Sequence, residues 1–123
     1  MKMICCIDDN NGILFVNKRV SKDSKIIEDI TKYTDTIYGS KYSKKLFPNI
    51  EFKEYKDEKE IYYFHEDLKL DLNPSEIILY KFNRKYPSTT KFNIDLESYK
   101  LKAITEFKGT SHDKITKEIY IKE

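Results

Sequence analysis

A short polar segment, NKRVSKD at residues 17–23, carries side chains that could hold a charged ligand. Asn17, Arg19 and Ser21 precede Asp23 and offer an amide, a guanidinium and a hydroxyl beside a carboxylate. A guanidinium grips carboxylate or phosphate groups through paired hydrogen bonds. The segment therefore predicts a binding site for a small polar ligand, with Asp23 as its acid. The alternative is structural, because the dipole of a following helix stabilises such an acid by about 0.3–1 kcal/mol.

Three further candidates lie in the C-terminal half of the chain. TSHDKIT contains Ser111 and His112, and NRKYP contains Arg84. A histidine titrates near neutral pH, so His112 is a candidate general acid or base, although a histidine in a hairpin is commonly just exposed. Adjacent Ser and His seldom reach triad geometry, so no nucleophilic triad with Asp23 is predicted. We interpret His65 as structural.

Bulk composition and cysteine placement narrow the class of protein. The chain has 123 residues, enough for one domain, and a net charge of +2, too weak a bias to indicate nucleic acid or membrane binding. Cys5 and Cys6 are neighbours in an apolar segment, so a mutual disulfide would be strained, and no second pair completes a metal site. We expect a reduced, cytoplasmic protein with no bound metal and no signal or membrane-spanning segment.

The elements that must position these residues follow from hydrophobic periodicity. The apolar run MICCI ends at the turn-forming cluster DDNNG, which predicts a buried strand and a loop. SKDSKIIEDITKYT predicts a helix with Ser21 as N-cap, Asp23 in the first turn and an apolar face. A short strand ending at Gly39, a helical turn before Pro48, and three strands, IEFKEY, EIYYFHED and SEIILYKF, should follow.

Two period-2 segments close the chain. YKLKAITEF predicts a strand with Tyr99 and Phe107 on one face, and KITKEIYIKE predicts a second strand. KGTSHD between them predicts a hairpin loop. The predicted order of elements is a strand, a helix and then mostly strands. This order indicates an α/β fold, with one main helix after strand 1 and an antiparallel C-terminal hairpin.

Two blocks of this pattern resemble the dihydrofolate reductases. IDDNNG and VSKDSKIIEDITKYTDTIYGSKYSKKL resemble that family's first strand, active-site loop, helix and cofactor-contacting turn. IILYKFNRKYPSTTKFNIDLESYKLKAITEF and GTSHDKITKEIYIKE resemble its C-terminal strands and last hairpin. The resemblance implies that Asp23 stands where the substrate-binding acid sits, and Gly39 where a cofactor-contacting glycine sits.

The departures from the family pattern bear on activity. Ser40 and Tyr42 replace the arginine and threonine that grip cofactor phosphate, and Tyr80 replaces the threonine that supports the acid. No tryptophan is present, and no glycine lies between Gly39 and Gly109, so the glycine-rich strand–turn–helix unit that holds a dinucleotide is missing. We therefore expect a single shortened domain, residues 1–123, that binds no cofactor.

A second resemblance is to small uncharacterised Firmicutes proteins, some of which carry the name ribonuclease Z. The shared motifs, in order, are DNNG, N.R.S.D, NR.YP and SH.KIT.E.Y, which implies a bacterial or phage source. Two-metal hydrolases need a cluster of histidines and acids, whereas this chain has only His65 and His112. The nuclease name is therefore not supported by the residues.

These observations favour a non-catalytic binding or regulatory module that recognises a small polar ligand or a protein partner. Loss of a strand–helix unit would also leave a sheet edge exposed, which predicts a homodimer through that edge. The alternative is a small enzyme that uses Asp23 or His112 as general acid–base on a nucleotide or pterin-like substrate. RNA binding is a weaker third hypothesis, because the chain is only slightly basic.

Overall fold

The computed structural model describes residues 1–123, and its centre is a seven-stranded sheet. The order across the sheet is β5-β4-β6-β1-β7-β10-β9, with β1 between two parallel neighbours and β10 antiparallel to both of its own. The seven strands are β1 Lys2–Ile7, β4 Thr36–Gly39, β5 Glu51–Glu54, β6 Tyr62–Phe64, β7 Glu76–Lys81, β9 Tyr99–Phe107 and β10 Ile115–Lys122.

A second, three-stranded sheet was not predicted. Its order is β3-β2-β8, from β2 Gly12–Phe15, β3 Lys18–Arg19 and β8 Thr90–Lys91. The turn between β2 and β3 places Val16 and Asn17 at φ 47° and 66°, left-handed values that a β-branched residue rarely adopts. The strands are too short for periodicity to reveal them, and the turn lacks the usual Asn-Gly sequence.

The single α-helix, α1 Ser24–Thr31, begins one residue after Asp23. Asp23 is the N-cap, since its carboxylate accepts a hydrogen bond from the backbone N–H of Lys25, so the prediction of Ser21 as N-cap was wrong. Ile26 and Ile30 are buried, as the helical spacing predicted. Two 3-10 turns, Lys41–Leu46 and Leu96–Ser98, complete the elements, and no helix is long and apolar enough to cross a membrane.

Two apolar clusters cover the two faces of the sheet. Alternate residues of β1 divide between them: Cys5 belongs to the first cluster, whereas Cys6 packs against the second, with α1. Both cysteines are free, as predicted from their opposite directions. No α-helix covers the first cluster; the residues packed against it include Leu68 and Leu72.

The C-terminal antiparallel hairpin of β9 and β10 is confirmed, with one correction. Ile119 pairs with Ala103 and Tyr120 with Leu101, so Lys102 is an extra residue, a β-bulge, in β9. The bulge reverses the alternation of side chains along β9. Tyr99 therefore packs in the first cluster and Phe107 against the second, and the prediction that they share a face was wrong.

Candidate functional site

The carboxylate of Asp23 is buried and fully hydrogen-bonded. Its Oδ1 accepts from the backbone N–H of Lys25 and of Thr110, each at 2.9 Å. Its Oδ2 accepts from the backbone N–H of Ser111 and from Nδ1 of His112, also at 2.9 Å. Only 2% of Asp23 is exposed, so the helix start and the hairpin loop share this carboxylate between them.

Burial alone would raise the pKa of Asp23. The N–H groups of Thr110, Ser111 and Lys25 and the His112 side chain outweigh it and hold the pKa below the usual value. The loop comes close because residue 109 is glycine: a Cβ there would lie 2.5 Å from Oδ2 of Asp23. The hairpin loop is thus fitted tightly against an ionised acid.

His112 continues this network away from Asp23. Its Nε2 lies 2.9 Å from the hydroxyl of Tyr86 and 3.2 Å from Oγ of Ser21. Its ring stacks on Phe82 with centroids 4.8 Å apart. In the neutral imidazole whose Nδ1–H donates to Asp23, Nε2 offers a single lone pair, which the hydroxyls of Tyr86 and Ser21 share. The four polar side chains therefore form a chain of hydrogen bonds that joins α1, the β9–β10 loop and the segment after β7.

A second polar cluster surrounds Arg19, at the end of β3. Its guanidinium bonds both oxygens of Glu66, Nε to Oε2 and Nη2 to Oε1, each at 2.9 Å. Ser43 donates to Oε1 of Glu66 at 2.7 Å, and the ring of Tyr42 lies under the guanidinium, with its centroid 4.3 Å from Cζ. Burial alone would lower the pKa of Arg19. The hydrogen bond and the negative charge of Glu66 outweigh burial and raise the pKa above its usual value, so the guanidinium stays charged.

Almost no free volume remains between the two clusters. The cavity there measures about 10 Å³, and Ser21, Asp23 and Glu66 line it together with Cys6 and Phe64. Such a volume holds at most one water molecule. Burial raises the pKa of the Cys6 thiol well above its usual value, so this side chain is neutral. The position that faces Asp23 from the sheet is therefore closed to a substrate.

A cavity of about 660 Å³ forms an open groove on the outer side of Asp23. One wall is α1 with Ile27, and the other is the segment 45–50, with Leu46 and Pro48. Lys22 and Lys45 bring positive charge to the groove. The complete lining is Lys22, Asp23, Ser24, Ile27, Glu28, Thr31, Lys45, Leu46, Phe47, Pro48, Asn49, Ile50, Thr110 and Ser111.

Four of the predicted site residues, Ser21, Asp23, Ser111 and His112, lie together. Ser111 contributes its backbone N–H to Asp23, and His112 is 3% exposed, so the interpretation of His112 as an exposed hairpin residue was wrong. The hairpin loop turns inward because the backbone N–H groups of Thr110 and Ser111 and the ring of His112 form hydrogen bonds with Asp23.

The other predictions fall elsewhere. Arg19 belongs to the Glu66 cluster, and Asn17 lies in the exposed β2–β3 turn. The exposed Arg84 contributes its backbone carbonyl, which accepts from the N–H of Asp9. Tyr80 donates to Asp29 at 2.7 Å, not to Asp23. His65 accepts a hydrogen bond from the hydroxyl of Tyr63 or donates one to it, at 2.9 Å.

Glu66 and Tyr86 are among the residues of these networks that sequence reasoning missed. Glu66 follows the apolar strand β6, and the polar ends of neighbouring parallel strands meet at one edge, which is the signal that could have found it. Tyr86 lies in a segment with no regular structure, and its contact with His112 spans 26 residues, so no local pattern marks it.

Comparison with solved structures identifies the architecture. The chain superposes on a dihydrofolate reductase from Enterococcus faecalis complexed with NADP(H) and RAB-propyl, with a TM-score of 0.70 over 100% of this chain and 96% of that chain. The fold is that of dihydrofolate reductase. Sequence identity is only 10%, so the likeness concerns the fold alone. No family model matches the chain, and no curated protein matches it.

Ser40 and Tyr42, which the sequence resemblance places at cofactor-contacting positions, carry no positive charge for a phosphate. Ser40 is buried beside Ser43, and the hydroxyl of Tyr42 accepts from the backbone N–H of Arg19, so neither offers a cation to phosphate. A Cβ on Gly39 would lie 3.2 Å from the ring of Phe52, so packing explains that glycine. No group of three or more His, Cys, Asp or Glu side chains is placed to hold a metal ion.

Proposed function

We propose that this protein is a non-catalytic binding module built on the dihydrofolate reductase fold. The observation that carries the proposal is the state of Asp23. A carboxylate has about four acceptor positions, and four donors from this chain occupy those of Asp23. An acid in that state has no acceptor left for a substrate N–H.

The groove between α1 and segment 45–50 is the site that we assign to the ligand. Its apolar surfaces, from Ile27, Leu46 and Ile50, suit a flat or aliphatic body. Lys22 and Lys45 suit an anionic group attached to that body, whereas Glu28 at the rim disfavours several negative charges. The ligand class is therefore a small organic anion with an apolar core. Asp23 and Ser111, both predicted from sequence, form part of the wall.

A thermal-shift panel tests this assignment. We would screen dihydrofolate, NADPH, nucleotides and 4-aminobenzoylglutamate, an aromatic compound with two carboxylates. A ligand at about one hundred times its Kd adds about 2.7 kcal/mol, which raises Tm by several degrees. Lys45→Ala should reduce the shift at least several-fold, and Lys44→Ala, an exposed neighbour outside the groove, should not. If the ligand raised the Tm of Lys45→Ala and Lys44→Ala equally, the assignment of the ligand to the groove would be wrong.

The second candidate function is general acid–base catalysis by His112. The supporting observation is its fixed ring, in which Nδ1 faces the carboxylate of Asp23 and Nε2 faces the hydroxyls of Ser21 and Tyr86, the orientation that a general acid–base histidine requires. The burial of His112, which is only 3% exposed, opposes this function, since a substrate could reach Nε2 only if the loop moved. Turnover of a pterin or nucleotide that is lost in His112→Gln but kept in His65→Gln would favour the enzyme.

A further inference from the structure

The connection between β6 and β7 contains a strand-like sequence without a strand partner. Residues 67–72 read Asp-Leu-Lys-Leu-Asp-Leu, with charges and leucines in strict alternation. None of their backbone N–H or C=O groups makes a hydrogen bond within the chain. Such unpaired backbone next to alternating side chains is the surface to which another strand adds.

The three leucines of this segment are two residues apart, so in an extended chain they lie on one face. Leu68 and Leu72 pack against the first apolar cluster. Leu70, between them, is 43% exposed and is one of only five large hydrophobic side chains with that degree of exposure. Lys69 and Asp71 are exposed. The segment thus presents one uncovered leucine flanked by charges of opposite sign.

We propose that the segment pairs with the same segment of a second copy, antiparallel, with the two Leu70 residues opposite each other. In this register Leu68 lies opposite Leu72 of the second copy, so the leucines form one face. Lys69 lies opposite Asp71, and the two-fold symmetry forms that pair twice. The order of charges in this segment is therefore complementary to the same segment running in the opposite direction.

Neighbouring registers lack this match. A pairing centred on Lys69 would place Lys69 opposite Lys69 and Asp67 opposite Asp71, which is repulsive on both counts. If one segment shifted by one residue along the other, each leucine would lie opposite a charged residue. The self-complementary register is also why we favour a second copy over an unrelated peptide.

The two free edges of the large sheet are less suited to a dimer. β9 carries the bulge at Lys102 and a second lysine, Lys100, on the outer side, and both features oppose edge pairing. β5 has only four residues, of which Glu51, Lys53 and Glu54 are exposed. The contact between copies is therefore assigned to residues 67–72 and not to a sheet edge.

Charge exchange tests the register directly. Lys69→Asp places Asp opposite Asp, and Asp71→Lys places Lys opposite Lys, so each variant alone should remain monomeric at 14.7 kDa by light scattering. An equimolar mixture of the two restores opposite charges at both positions and should double the mass. Lys102→Asp, on the bulge of β9, is the matched control and should behave as the unchanged protein. If the unchanged protein is monomeric up to about 1 mM, the proposal is wrong.

A crosslink gives a second readout that does not depend on charge. Leu70→Cys places two thiols on the symmetry axis, at a spacing that cross-strand disulfides tolerate. We expect a covalent dimer on mild oxidation, while Leu101→Cys, equally exposed at 42% on β9, should stay monomeric. Equal crosslinking of both variants would indicate random collision and overturn the assignment.

Discussion

Asp23 and His112 lie 89 residues apart in sequence and share a hydrogen bond of 2.9 Å between Oδ2 and Nδ1. Their side chains are 0% and 1% exposed. The acid that the dihydrofolate reductase resemblance assigns to substrate binding is thus used to fasten the last hairpin to the start of α1. The partners of Asp23 are groups of this chain, whereas the resemblance assigns this acid to a substrate. This is the basis of the proposal that the protein binds a ligand without catalysis.

Replacing Asp23 by Asn should destabilise the protein by about 2–3 kcal/mol at neutral pH, because Ser111 and His112 lose a charged acceptor. The pKa of Asp23 is lowered in the folded state, so its contribution is present above the ordinary pKa of about 3.9 and is lost as pH falls below it. Urea denaturation of both proteins at several pH values measures this. Their free energies of unfolding should begin to converge at about pH 4 and meet once the pH has fallen through the lowered pKa of the folded state.

Asp57→Asn is the control for that experiment, because Asp57 is exposed and makes no hydrogen bond through its side chain. Its stability difference from the unchanged protein should stay near zero at every pH. A difference between Asp23→Asn and the unchanged protein that persisted undiminished to pH 2 would show that the charge of Asp23 is not what stabilises the loop.

Breaking the Arg19–Glu66 pair from one side should cost more than replacing both partners. Arg19→Met leaves the Glu66 carboxylate buried with only Ser43 as a donor, a loss of about 3 kcal/mol. Adding Glu66→Gln removes the unpaired charge, so the double variant should recover part of that loss. A double-mutant cycle by chemical denaturation gives the coupling energy.

An exposed pair supplies the comparison for the cycle. Lys41 and Glu54 are 3.6 Å apart with side chains 87% and 65% exposed, so Lys41→Met should change stability by less than about 0.5 kcal/mol. If Arg19→Met were equally mild, the Glu66 cluster could not be holding the β2–β3 hairpin in place.

Gly109→Ala should loosen the hairpin from α1. The added methyl would lie 2.5 Å from Oδ2 of Asp23 and 2.8 Å from the carbonyl oxygen of His112, so the loop must move. We expect a loss of about 1–3 kcal/mol, as for other overpacked sites. Amide hydrogen exchange should accelerate at Thr110 and Ser111, whose N–H groups are bound to Asp23, and unchanged protection there would contradict the described fit.

Val16→Asn should stabilise the protein. Val16 is 63% exposed and holds a left-handed φ of 47°, which costs a β-branched residue about 1–3 kcal/mol and an asparagine much less. A gain of about 1 kcal/mol in the free energy of unfolding is expected from thermal or urea denaturation. Lys18→Asn, in the adjoining strand, should bring no gain, and a loss in Val16→Asn would mean that the Val16 side chain is needed for packing.

Local periodicity predicted the parts of the fold that are locally determined. The helix face with Ile26 and Ile30 and the strand that ends at Gly39 follow from spacing within one element. The faces of Tyr99 and Phe107 could not be predicted, because the bulge at Lys102 depends on pairing with β10. Short strands such as β8, with two residues, give no pattern to recognise.

The residue types of the candidate site could be selected from the sequence, whereas their arrangement could not. Ser21, Asp23, Ser111 and His112 were each identified, but their contacts join distant segments and no single spacing encodes them. The role of Glu66 depends on a tertiary contact, the ion pair with Arg19, which lies 47 residues earlier in the chain.

The measurement that tests the central claim most directly is an NMR titration of ¹⁵N-labelled protein with 4-aminobenzoylglutamate and dihydrofolate. The account predicts saturable amide shifts confined to residues 22–31, 45–50 and 110–111, which border the groove, without conversion of either compound. Shifts centred on Cys6, Phe64 and Glu66, around the closed cavity, or turnover of dihydrofolate would contradict it.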